Sequence, residues 1–144
     1  MKRAFTMIEL IFVIVIIGVL SAIAVPKFAA TRDDALIVKG RETLASVRSA
    51  IAAEKQKRIL RGDFTAITNL SAGGGSYVFD KFSADKTGKN NPVLEYPPKS
   101  CTTPGCWSGS GTTYTFYAPS GYTDCTYTLS NNRLTTTGCS ALGD

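Results

Sequence analysis

Two kinds of residue in this chain could do chemistry, its cysteines and one oddly placed carboxylate, and neither points to catalysis. The four cysteines are Cys101, Cys106, Cys125 and Cys139. An even number confined to a small, loop-rich region suggests disulfides and an oxidising compartment. Four cysteines allow three connectivities, of which the local one, Cys101–Cys106 with Cys125–Cys139, is favoured. A zinc site would need tighter C-x-x-C knuckles, and the chain has no histidine. Without histidine, a Ser-His-Asp or Cys-His arrangement is impossible. Gly88-Lys89 fails as a phosphate loop, because Ser83 and Asn90 stand where a glycine and a Ser or Thr are required. Asn69-Leu70-Ser71 is a minimal sequon of the kind that arises by chance. No catalytic residue, metal or cofactor is assigned, and the chain reads as a non-enzyme.

The carboxylate is Glu9, set at the head of an apolar run that reaches Val25 and stops at Pro26. A carboxylate in a membrane span costs a few kcal/mol and is usually functional. From Phe5 to Val25 a helix would rise about 30 Å, enough for a bilayer core. Lys2 and Arg3 precede the run and orient its start toward the cytoplasm, so the remainder is exported. An ordinary secretory signal would be cut after the apolar run, near Ser21-Ala22-Ile23-Ala24, but such a signal has no use for Glu9.

Beyond Pro26 the pattern turns amphipathic. Ile37, Gly40, Leu44, Val47 and Ile51 fall on one helical stripe, and Glu54 and Arg58 make an i,i+4 pair. Gly62 reads as a helix stop. One helix is therefore predicted from near Phe5 to near Arg61, about 85 Å if straight. Gly18 and Pro26 are its weak points. The expectation is that Gly18–Pro26 is helical in the free subunit and unwinds when neighbours pack around it.

The rest, residues 63–144, is rich in Thr, Ser, Gly and Tyr and reads as a small antiparallel sheet. Ser71 to Ser76 is a flexible connector. Tyr77-Val78-Phe79 is a short strand, Thr112 to Tyr117 a second, and Thr126–Leu129 and Leu134–Thr137 flank a hairpin turn at Asn131-Asn132. A two-residue turn sets Leu129 opposite Leu134 and leaves Cys125 one residue short of Cys139. A bulge between Thr135 and Gly138 would absorb the difference, or a three-residue loop would remove it. Tyr114, Phe116, Tyr117, Tyr122 and Tyr127 are read as sheet packing rather than a base-stacking platform. The formal charge of +5 is mild, and Lys81, Lys86, Lys89 and Lys99 are scattered over loops, so nucleic acid is not among the expected partners.

Lys2-Arg3-Ala4-Phe5-Thr6-Met7-Ile8-Glu9-Leu10-Ile11, with the apolar stretch and Pro26 behind it, resembles the type IV prepilin leader. The resemblance implies cleavage between Ala4 and Phe5 by a prepilin peptidase, with N-methylation of Phe5; Ala4 stands where the family usually has Gly. It implies that Glu9 meets the new amine of a neighbouring subunit during assembly. It also implies an α+β fold in four parts: a leader (1–4), a membrane and filament-core helix (5–26), an amphipathic half-helix (27–62) and a globular β-sheet domain (63–144). The cysteine-bounded last hairpin is similar to the disulfide-bounded C-terminal region of many type IV pilins. The implied function is a structural subunit of a type IV pilus-like filament. Its implied partners are itself and sister subunits, the peptidase and an inner-membrane assembly platform. Before assembly it would sit in the bacterial inner membrane as a single pass with a cytoplasmic N-terminus, and afterwards in a periplasmic or extracellular filament. The alternatives are a type II secretion pseudopilin, against which stands the lack of an acidic calcium loop near the C-terminus, and a binding domain on an uncleaved signal anchor.

Overall fold

The structure, a computed structural model, describes residues 5–143, without the side chains of Pro26 and Ala29. The leader, Ala4 included, lies outside the described residues. Two compact units divide the chain, Met1–Asp34 and Ala35–Asp144.

A single helix, α1, spans Met7–Leu60. Its start is a capping box: the Glu9 carboxylate accepts from the Thr6 N–H at 2.9 Å and from the Thr6 hydroxyl at 2.8 Å. Its end is a Schellman motif. Asp63 N–H donates to the Arg58 carbonyl and Gly62 N–H to the Ile59 carbonyl, both at 2.9 Å, and Gly62 takes the required left-handed φ of 68°. The predicted stripe is buried from Ile37 to Ile51. Gly40 belongs to it because a Cβ there would lie 2.7 Å from the Phe116 ring. The same three-four spacing carries the stripe on to Glu54 and Arg58, which are 4% and 2% exposed.

Four strands form one antiparallel sheet in the order β1-β2-β3-β4: Trp107–Ser110, Thr113–Phe116, Cys125–Ser130 and Arg133–Thr135. Asn131 and Asn132 both have positive φ, as a two-residue type I′ turn requires, and Leu129 does face Leu134. Strand β3 alternates buried and exposed along its length. Its buried face joins Phe79, Trp107, Tyr114 and Phe116 in an aromatic cluster with ring centroids 4.9–5.7 Å apart. Tyr122 stays outside this core, 45% exposed.

Several local expectations are corrected. Tyr77–Phe79 is not a strand: Tyr77 makes one bridge to Lys99, and Phe79 has φ 60°, which no strand accommodates. Ser71-Ala72 is not slack connector, since Ser71 is buried and its hydroxyl accepts from Phe79 N–H, while Ala72 N–H donates to Lys81 O. Strand β1 was not among the expected strands.

Disulfides join Cys101 to Cys106 and Cys125 to Cys139. Neither a bulge nor a three-residue loop sets up the second. The ladder ends at Thr135, the Thr136 hydroxyl donates to Thr126 O at 2.7 Å, and Gly138, at φ 78°, turns Cys139 back under β3. Both of these cysteines are buried. Replacing Cys125 and Cys139 together by Ser is expected to cost about 3 kcal/mol, the loop-closure value for a link of this length. Denaturant midpoints of the full chain in detergent check this; an unchanged midpoint would show that the link adds nothing to stability.

Candidate assembly surface

Every Phe, Met, Ile, Leu and Val from Phe5 to Val25 is exposed in the single chain. Fully burying such side chains is worth about 1.5–3 kcal/mol each. A helix apolar on all sides is either a membrane span or the inside of an assembly. Among the described residues α1 is the one helix long and apolar enough to cross a membrane, judged by length and composition.

Glu9 sits in the first turn of that surface, one turn from Phe5, whose side chain is 80% exposed. In the isolated chain its carboxylate is turned back onto Thr6. The Thr-x-x-Glu pattern of a capping box is plain in the sequence, and it gives Glu9 a second role that its reading as a charge partner left out.

Gly18 and Pro26 lie within the continuous helix. A Cβ at Gly18 would meet nothing within 4 Å, so nothing in the single chain requires glycine there.

In the second unit a polar cluster ties α1 to the long segment that follows. Arg58 Nε donates to Glu54 Oε1 at 3.0 Å, and its Nη2 donates to the Ser83 carbonyl at 2.6 Å. Asn91 Nδ2 also donates to Glu54 Oε1, at 2.9 Å. Asp63 is held down to about 2, from an ordinary 3.8, first by the Lys86 N–H and then by the Thr65 hydroxyl and N–H, with help from the Arg58 charge; its burial opposes the shift. Asp85 is lowered in the same way, chiefly by the Thr87 hydroxyl and then the Lys89 N–H. Residues 63–106 contain no strand, only two isolated bridges, Tyr77–Lys99 and Lys81–Pro92, so side-chain acceptors such as these join scattered backbone hydrogen bonds in fixing their course. Among the described residues no group of His, Cys, Asp or Glu is placed to hold a metal ion.

A helix that begins as bare apolar surface and continues into a disulfide-braced antiparallel sheet is the pilin-type α+β architecture. Residues 1–25 match the prokaryotic N-terminal methylation motif. The chain is 54% identical, over 50 residues, to the type IV narrow pilus major component PilA5 of Thermus thermophilus. That alignment covers 35% of this chain and 43% of the relative, so the match spans less than half of the relative's length. No solved structure matches the chain. Together the motif and the relative support a place for this chain in the type IV pilin family.

Proposed function

We propose that this chain is a structural subunit of a type IV pilus-like filament. A prepilin peptidase removes residues 1–4, Phe5 becomes the methylated N-terminus, and the subunit waits in the inner membrane with its sheet domain exported. An assembly platform then packs its helix against those of identical or sister subunits. The observation that carries this reading is the N-terminal methylation motif lying on a segment, Phe5 to Val25, whose large apolar side chains are all uncovered. Glu9 is neutralised by the Phe5 amine of a neighbour, because a lone charge among apolar helices is costly and a paired one less so. The stretch from Gly18 to Pro26 is where the helix loosens as it packs.

Mass spectrometry of the mature N-terminus tests the reading. The expected product begins at Phe5 and carries the mass of one added methyl group. A product that keeps Met1–Ala4 would instead make the segment a plain signal anchor, and one beginning after Ala24 would make it an ordinary secretory signal.

A further inference from the structure

A groove of about 640 Å³ lies between α1 and β4, within the second unit. Three cations line it, Arg48, Lys55 and Arg133, and no carboxylate does. Arg48 is held in place, its guanidinium 5.8 Å from the Tyr127 ring centre and its Nη2 3.5 Å from the Leu134 carbonyl. Ile51, Ala52 and Leu134 supply apolar lining, so the groove suits an anion with an apolar body beside it.

The same unit displays such a pair. Glu95 and Tyr96 stand between Pro92 and Pro97-Pro98, both exposed, Tyr96 by 86%. Neither makes a hydrogen bond or ion pair among the described residues. The segment that presents them is nonetheless pinned: Val93 N–H donates to Asp80 O and Val78 N–H to Pro98 O, both at 3.0 Å, and Leu94 packs on the core. It is a fixed projection rather than a loose loop.

Projection and groove are on different flanks of α1. Asn91, just before the projection, meets Glu54, and Asp85 meets Arg61, whereas Arg48, Ala52 and Lys55 border the groove. At 100° per residue the two sets are roughly 120° apart around the helix. A chain therefore cannot fill its own groove with its own projection.

We infer that the Glu95–Tyr96 projection of one copy docks into the Arg48–Lys55–Arg133 groove of a second copy of this chain. Tyr96 covers the Ile51–Leu134 lining, as buried tyrosines do at interface centres, and Glu95 fixes the register against the cations. The contact is heterologous, joining unlike patches, and a heterologous contact that does not close on itself propagates as a helix. This rests on the filament reading and deepens it by naming a contact between sheet domains, separate from the packing of the apolar helices.

The test uses the full chain in its host, with sheared filaments analysed without reductant. Because all four native cysteines are paired, Glu95→Cys combined with Arg133→Cys is expected to give a ladder of cross-linked multimers that either single variant lacks. Filaments that form but run only as monomer overturn the inference and leave the filament reading standing. If the unaltered chain makes no filaments, both fall. Should the double-cysteine chain fail to assemble, charge exchange decides. Glu95→Arg is expected to cut filament yield about tenfold, and adding Lys55→Glu and Arg133→Glu to restore it. Normal yield from Glu95→Arg and from Tyr96→Ser overturns the inference.

Discussion

Arg58→Ala lowers the unfolding free energy of the oxidised chain by about 3–5 kcal/mol, the range for removing one partner of a buried ion pair. The guanidinium it deletes is 2% exposed and bonds both Glu54 and the Ser83 carbonyl. Without it the Glu54 carboxylate stays buried, with the Asn91 amide its remaining short donor and Lys57 at 4.0 Å. Asp63 and Asp85 also lose the positive charge that helps keep them ionised. Replacing both partners by apolar residues of similar size, Glu54→Leu with Arg58→Met, is expected to recover most of the loss, since a well-packed apolar pair often matches a buried ionic one. The buried Trp107, the single tryptophan of the chain, reports unfolding by its fluorescence in detergent. A shift of less than about 1 kcal/mol for Arg58→Ala would put the pair in the class of exposed ion pairs and contradict its burial.

On the proposed filament reading, Glu9→Ala is expected to insert in the membrane and be processed, yet to enter filaments at least about a hundredfold less, because that reading leaves the neighbour's amine unpaired among apolar helices. The capping box offers a rival cause, and two further variants separate them. Glu9→Gln keeps an acceptor that can cap Thr6 but carries no charge, and it should fail as Glu9→Ala does. Thr6→Ala breaks the cap, keeps the carboxylate and should assemble. Normal filaments from Glu9→Gln would remove charge pairing from the account and leave the helix start as the function of Glu9.

The parts of this fold that were legible are those where one periodicity or one turn dominates. Ile37 to Ile51 declared a helix face by spacing alone, and Asn131-Asn132 between two leucines declared a hairpin, though the sequence leaves its register open between a two-residue and a three-residue loop. Strand β1 was hidden because Trp107-Ser108-Gly109-Ser110 has the composition of a turn. Gly109 is there because a Cβ would come within 2.3 Å of the Thr113 carbonyl oxygen, a constraint invisible without the neighbouring strand. The burial of Glu54 and Arg58 had a signal, since they extend the stripe by steps of three and four. It was masked because the same spacing also describes a solvated pair. Of the candidate site, Glu9 and the apolar run stood out at once. The groove did not, for it joins Arg48 and Lys55 to Arg133 across a large sequence separation, and no local pattern reports that.

The long stretch between α1 and β1 keeps its path through scattered backbone hydrogen bonds and a few side-chain anchors, Asp63, Ser71, Asp85 and Asn91, rather than through paired strands. Between those anchors the tips at residues 73–75 and 86–90 are exposed and carry little of the packing. Exposed side chains on such tips tolerate substitution, provided Gly73, Gly74 and Gly88 and the Thr87 hydroxyl that holds Asp85 are kept. The outward character of this face can therefore change without disturbing the helix or the sheet.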